Sequence, residues 1–254
     1  MSRYPYSFDR IAGLYDETRP IPDEAVERIV ATIRELVGGG RLLEVGAGTA
    51  RLSLPLQRAR VSVVGTDVSR KMIRIGQRKG FQYAVLADAY HLPFADGTFQ
   101  VAMTNRLLHL LEDWRGALRE IGRTTQGWYV SVLERESAVP DLELEYVRGV
   151  EGRGGNTKRP GLYERDLASQ LSPDRIVAIG RFGAPEQASH TIAMLEKRIF
   201  SSQWSVPEEI HRDTIATLRN RFHGVTIQTQ NEIELAIWRV GRLLDFVGIA
   251  PSPA

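Results

Sequence analysis

The chain has 254 residues, 43% hydrophobic and 25% charged, and its 33 basic and 31 acidic residues leave a formal net charge of +2. That suits one α/β domain with an insertion, or a domain and a half, of ordinary soluble globular composition. Cysteine is absent, which excludes disulfides, thiolate catalysis and Cys-ligated zinc.

No apolar stretch approaches the ~18 residues of a membrane span. Met1-Ser2-Arg3-Tyr4-Pro5 lacks the apolar core of a signal peptide. The expected location is therefore the cytoplasm. The pI is about 9.0, and only Lys71, Lys79, Lys158 and Lys197 are lysines. Acids are interleaved throughout, so the arginine excess fits genome composition or heat adaptation better than a nucleic-acid surface.

In chain order, residues 4–20 read as an irregular aromatic arm. Val26, Ile29, Val30, Ile33 and Leu36 recur at helical spacing over residues 23–37, and Gly38-Gly39-Gly40 ends that helix. A strand follows at 41–45, then a helix at 50–58 that Pro55 kinks or delays. Residues 61–66 form a second strand closed by Asp67. Ser69 caps a helix running to about Arg78. Strands at 83–87 and 100–104, a helix at 113–123 and a strand at 128–133 complete an alternation that implies a doubly wound parallel sheet. Residues 134–170 are polar and glycine-rich, read equally as a partial lid or as a plain flexible loop, with mobility expected around 149–161. Residues 176–179 suit a sixth strand. Residues 186–221 suit helices broken around 201–207, and 233–240 a final strand. Pro251-Ser252-Pro253-Ala254 is expected to be disordered.

Function is concentrated in Leu42-Leu43-Glu44-Val45-Gly46-Ala47-Gly48-Thr49-Ala50. An apolar strand runs into Gly-x-Gly and then a helical pattern, which brings a ligand against bare backbone. Asp67 closes the next strand, 19 residues after Gly48. A carboxylate there can accept from both hydroxyls of a ribose. Asp88 ends the third strand. Leu92-Pro93-Phe94-Ala95-Asp96-Gly97-Thr98-Phe99 leads into the fourth.

These motifs resemble those of class I S-adenosylmethionine (SAM)-dependent methyltransferases, and more closely the small-molecule group typified by quinone-biosynthesis enzymes. Phe8-Asp9-x-Ile11-Ala12-x-x-Tyr15-Asp16-x-x-Arg19 is similar to that group's N-terminal opening. The resemblance covers roughly residues 5–133. It departs at Thr124-Thr125-Gln126-Gly127, where the group has a Pro-Gly-Gly-type turn. It implies a Rossmann-like, seven-stranded, mostly parallel sheet with an antiparallel last strand at the edge. One domain would span 1–254, with a lid-like insertion at 134–170 and a C-terminal helical insertion at 185–224.

The resemblance also implies SAM as cofactor and a small-molecule acceptor. Glu44 would accept from the ligand ammonium, and Gly46, Ala47 and Gly48 would meet the methionine part. Asp67 would hold the ribose. Val68 and Met72 would wall the adenine, with Asp88 and Ala89 at its edge. Asn105 completes the expected cofactor set. His109, just past the fourth strand, and Tyr15 on the arm are the catalytic candidates. The apolar neighbours of His109 would keep it neutral. Arg19 and Arg106 are the candidate acceptor contacts, and His91 is a further candidate at the cleft edge. His190, His211 and His223 have no ligand-like spacing, so no metal is expected.

Other readings remain. An RNA or protein methyltransferase would dock through Arg148, Arg153, Lys158, Arg159 and Arg165. However, Asn105-Arg106-Leu107-Leu108 lacks the prolines of enzymes that methylate base amines. An NAD(P)-dependent oxidoreductase would place a small residue at position 51, which is Arg, and would carry a Tyr-x-x-x-Lys or similar donor, which is absent. A catalytically silent SAM-binding regulator fits the same motifs. Oligomeric state is not legible.

Overall fold

The computed structural model describes residues 8–248. The readings for residues 1–7 and for the 251–254 tail lie outside the described residues. The arm forms two short 3-10 turns, Phe8–Arg10 and Ala12–Leu14, and one helical turn, α1 (Tyr15–Thr18). In α2 (Asp23–Val37), Ile29, Ile33 and Val37 are buried at i, i+4 and i+8. Gly38 ends it at φ +55°, donating its N–H to Arg34 O.

The chain then alternates through β1 (Arg41–Val45), α3 (Ser53–Arg58), β2 (Ser62–Asp67), α4 (Arg70–Arg78), β3 (Ala84–Leu86), β4 (Phe99–Asn105), α5 (Trp114–Thr124) and β5 (Thr125–Val139). α3 begins late, so Pro55 falls in the first turn, where its missing N–H costs nothing. The Thr124-Thr125-Gln126-Gly127 departure has a simple form: α5 runs directly into β5. α6 (Leu142–Glu151), α7 (Glu164–Gln170), β6 (Arg175–Phe182), β7 (Pro185–Gln187), α8 (Ala188–Glu196), α9 (Glu208–Arg221), β8 (Thr226–Arg239) and α10 (Val240–Val247) follow.

The strand order is β3-β2-β1-β4-β5-β8-β6, with β7 paired to β8. β1 lies parallel to β2 and β4, Val45 pairing with Thr66 and with Thr104. This register lines up the C-terminal strand ends that carry Gly46, Asp67 and Asn105. The mostly parallel sheet has one antiparallel strand. β8 is not at the edge, as expected from the sequence, but between β5 and β6. Its residues Leu235 to Trp238 are all wholly buried, which is how a covered interior strand reads. The count rises from seven strands to eight because of β7, a three-residue strand too short to carry a pattern.

The described residues divide into two compact units. One lies within Met1–Glu134, Pro160–Gly180 and Ile233–Ala254, the other within Arg135–Arg159 and Arg181–Glu232. The first has a core that includes Leu43, Ala102, Tyr129 and Trp238. The Tyr129 and Trp238 rings stack with centroids 5.6 Å apart. In the second, Leu142, Tyr146 and Val150 pack with Ile192, Leu195, Ile215 and Leu218. α6 forms within a stretch read as loop because Leu142, Tyr146 and Val150 make a buried stripe and Asp141 caps it, accepting from Leu144 N–H at 2.9 Å.

The segment before β4 is held by one guanidinium. Arg123 Nη1 donates to Phe94 O at 2.9 Å and to Asp96 Oδ1 at 2.6 Å, and its Nη2 donates to Leu92 O at 3.2 Å. Glu120 holds the same arginine and accepts from Leu92 N–H at 2.8 Å. The Leu92-to-Phe99 motif is thus a folding device: it seats Leu92 and Phe99 in the core and starts β4 in register. Replacing Arg123 with Ala is expected to cost about 1–2 kcal/mol, since the guanidinium is partly solvent-screened. Scanning calorimetry should show a melting temperature lower by about 2–8 °C.

Candidate functional site

A cavity of about 250 Å³ opens at the C-terminal ends of β1, β2 and β4. Its floor is the glycine loop. Gly46 has φ +77° and Gly48 has φ +57°, conformations that L side chains rarely adopt. The loop is fastened below, where Gly46 and Ala47 both donate N–H to Thr66 O at 2.8 Å. A Cβ on Gly46 would lie 3.0 Å from a Leu107 methyl, and one on Gly48 would lie 3.2 Å from Met72 Cε.

Asp67 stands over this floor. Gly48 N–H donates to its Oδ2 at 2.9 Å and Ser69 N–H to its Oδ1 at 2.7 Å. Burial pushes its carboxyl up to about 6, although those N–H groups pull the other way. Each oxygen keeps an acceptor site free of these backbone bonds. Ser69 also caps α4, accepting from Met72 N–H at 3.1 Å. One short turn therefore sets the acid, the cap and Met72 together.

The arm closes over the same edge. Ser69 Oγ donates to Asp9 Oδ1, and Thr49 Oγ1 donates to Asp16 Oδ1. Lys79 Nζ pairs with Asp16 Oδ2 at 2.7 Å. The Arg51 guanidinium lies 5.0 Å from the Tyr15 ring centroid. The residue that argued against a dinucleotide site therefore holds the arm instead.

Gly46, Gly48, Asp67, Val68, Met72, Ala89 and Asn105 line the cavity, as do Tyr15 and Arg106. Asn105 Oδ1 is buried there with no hydrogen-bond partner among the described residues. Arg106, at φ +53°, is held by Glu134, its Nε donating to Oε1 at 3.0 Å. Sequence reasoning did not assign Phe8, Asp9 or Leu107 to the site, although Phe8 and Asp9 belong to the arm motif already quoted.

Other predicted site residues lie elsewhere. Glu44 is buried beneath the floor and accepts from Ser53 Oγ. Burial pushes its carboxyl up to about 7. Ala47 packs under the loop, where a Cβ on Gly65 would come within 2.8 Å of it. Asp88 turns back on its own chain and accepts from Tyr90 N–H at 2.8 Å; Ala87 and Ala89 on either side of it line the cavity. His91 bridges to Asp88 and is not among the lining residues. Arg19 donates to Thr18 O at 3.3 Å and does not reach the cavity lining.

His109 does not line the cavity either. Its ring stacks on Tyr163 at 5.5 Å, and Nδ1 lies 3.5 Å from Glu164 Oε2. The apolar setting inferred from its leucine neighbours is thus replaced in space by a carboxylate. Burial alone would raise the Glu164 carboxyl, but His109 and the Leu108 N–H outweigh it and the net direction is downward. No cluster of His, Cys, Asp and Glu suited to a metal occurs among the described residues. Among the same residues, no helix is long and apolar enough to cross a membrane.

Residues 43–127 match the family model of a methyltransferase domain. The chain is 35% identical over 124 residues to a demethylmenaquinone methyltransferase of Streptomyces avermitilis, covering 47% of this chain and 54% of that one. It is 32% identical over 126 residues to a ubiquinone/menaquinone biosynthesis C-methyltransferase of Desulfotalea psychrophila, covering 46% and 51%. The chain thus spans about half the length of the relatives it matches. Among solved structures, the YcgJ protein of Bacillus subtilis superposes with a TM-score of 0.53 at 18% identity, covering 86% of this chain and 99% of that one. A candidate methyltransferase of Bacillus halodurans gives 0.53 at 17%, covering 86% and 98%. These two establish the Rossmann-like fold. On that fold, residues 43–127 resemble a methyltransferase domain, and the sequence relatives are methyltransferases of the quinone-biosynthesis type.

The buried acids give the stability a testable pH dependence. The folded-state carboxyls of Glu44 and Asp67 are raised, so the folded state holds more protons than the unfolded one between about pH 4 and 7. Their burial therefore weakens the ligand-free fold progressively as pH rises through that window. Glu44→Gln removes one of the two groups. Denaturant titrations should show wild type losing stability relative to this variant from pH 4.5 to 7.5. A pH-independent difference would refute the assignment.

Proposed function

We propose that this chain transfers a methyl group from SAM to a small-molecule acceptor. The observation that carries the reading is the Asp67 carboxylate. Two backbone N–H groups fix it at the end of β2, its remaining acceptor sites are free of those bonds, and it lines the cavity above two positive-φ glycines. That donor and acceptor set fits SAM. Asp67 would take the ribose hydroxyls, Val68 and Met72 the adenine faces, Gly46 and Gly48 the methionine part, and Asn105 Oδ1 a ligand donor. Glu44 would act from below by supporting the loop, and Asp88 by shaping the turn that presents Ala87 and Ala89.

When bound, SAM supplies an electrophilic methyl on a sulfonium, and its transfer leaves the neutral thioether. The protein's share is alignment and exclusion of water, worth up to ~7–11 kcal/mol in well-oriented systems. Leu107, Leu110 and Leu111 form an apolar wall, which suits an acceptor with a flat apolar body. Tyr15 and Arg106 also line the cavity and would supply polar contacts to the acceptor. We assign His109 to supporting the wall rather than to proton transfer, because its imidazole faces Glu164 and Tyr163.

Charge favours this reading over a dinucleotide. Asp9 and Asp67 line the cavity, and Arg106, its one basic lining residue among the described residues, is paired with Glu134. A diphosphate would meet carboxylates there. Calorimetry is expected to show binding of S-adenosylhomocysteine but not of NAD. NAD binding without S-adenosylhomocysteine binding would overturn the proposal.

Asp67→Ala is expected to weaken S-adenosylhomocysteine by roughly 10- to 150-fold, the equivalent of ~1.5–3 kcal/mol for hydrogen bonds to a charged group. The wild-type affinity should also fall as pH drops below about 6, where the Asp67 carboxyl takes up its proton and loses an acceptor. Titrations from pH 5 to 8 check this. An affinity flat across that range would exclude Asp67 as the anchor.

A further inference from the structure

The wall of the cavity that follows β4 is a short turn with no local cap. Its 3-10 helix, Leu108–Leu110, has Leu107 at the N-cap position, and no side chain within the turn accepts its first N–H groups. Such groups need an acceptor when water is excluded. The acceptor comes from Glu164, more than fifty residues along the chain. Leu107 N–H donates to Glu164 Oε1 at 2.6 Å, and Leu108 N–H donates to the same oxygen at 2.9 Å. The Glu164 side chain is nine-tenths buried.

A second tie joins the same two segments. Gly161 N–H donates to His109 O at 3.1 Å. The approach is so close that a Cβ on Gly161 would lie 2.0 Å from Leu108 O. What the clamp holds matters for the ligand. The Leu107 side chain seats against the Gly46 position, and Gly46 belongs to the loop whose Gly48 N–H holds Asp67. Arg106, immediately before the turn, sits at φ +53°, so the backbone there is not one that Arg adopts unaided.

We propose that Glu164 is the positioning residue of the cofactor cavity, its carboxylate capping the Leu107–Leu110 turn and so fixing the wall beside the glycine loop. This rests on the SAM-site reading only for its ligand readout. The clamp itself is read without ligand.

The test uses the full chain and two readouts. The first is amide hydrogen exchange at Leu107 and Leu108, compared with Leu43 and Ala102 in the sheet. The second is S-adenosylhomocysteine affinity by calorimetry. Glu164→Ala should speed exchange at the two turn amides by at least tenfold, leave the sheet amides within twofold, and weaken the ligand by about tenfold. Glu164→Gln separates capping from pairing with His109. Its amide oxygen still accepts from both N–H groups, while its charge is lost. It should restore slow exchange and bring affinity within threefold of wild type.

If Glu164→Ala does not fold, Glu164→Asp takes its place. The shorter carboxylate keeps the charge but falls short of the turn, so the same losses are expected on a smaller scale. Unchanged exchange at Leu107 and Leu108 in the truncating variant would overturn the proposal. So would a Gln variant as impaired as the Ala variant, which would make the charge pair the essential element. Wild type that fails to bind S-adenosylhomocysteine would sink the functional reading and leave the exchange result to judge the clamp alone.

Discussion

The site depends on one carboxylate held by two backbone amides. Asp67 is taken out of water at the end of β2, which raises its proton affinity, and the N–H groups of Gly48 and Ser69 offset part of that cost. Each of those amides belongs to a different element. Gly48 sits in the loop after β1, and Ser69 begins α4. A single side chain thus locks the loop, the strand and the helix start into one geometry. Gly48 must then hold φ +57°, and Met72, one turn into α4, comes to lie beside it. A ribose-sized ligand would meet an acid already in place rather than one it has to order, which is where preorganisation gains affinity.

The arm is held by the same electrostatic logic. Asp9 and Asp16 each take a hydroxyl from the site region, Ser69 and Thr49, and Lys79 balances Asp16. Asp9 faces the cavity, and its charge adds to the upward push on Asp67. The contact is polar and partly exposed, unlike the apolar seating of the sheet. Segments held that way open at lower free energy than a core does. An arm fastened by hydroxyl–carboxylate bonds suits an edge through which a ligand must pass.

The sequence exposes whatever neighbouring residues determine. Strand–glycine–helix order, the acid closing β2 and the Ser69 cap are all local, and parallel strands bring such ends together by register alone. Periodicity located α2, α4 and α5 for the same reason, but not α6, α7 or α10. It hid what depends on distant partners. Glu164 falls in a stretch that reads as a lid or a flexible loop, and nothing nearby in sequence shows that it caps a turn at Leu107. His109 reads as apolar because its chain neighbours are leucines, yet its spatial neighbours are Tyr163 and Glu164. Glu44 reads as a ligand contact because it adjoins the glycines, but strand alternation sends it down to Ser53. The interior place of β8 is tertiary in the same sense.

The cavity's charge balance follows from these placements. Arg106 would make the acceptor side positive, but Glu134 neutralises it through a fork-on-fork pair. Among the described residues, the acids facing the cavity without an ion pair are then those near the β2 end, Asp9 and Asp67. At an effective dielectric of about 20, unit charges 4 Å apart interact by about 4 kcal/mol, and the effect weakens only as the inverse of distance inside a water-poor cleft. Such a field favours a ligand carrying positive charge and acts less on the same ligand once that charge is lost. On the proposed reaction, the cofactor enters as a sulfonium and leaves as a thioether. On that reading, acids that help to hold the first would have less grip on the second, and the same charge pattern would favour the cofactor over its product.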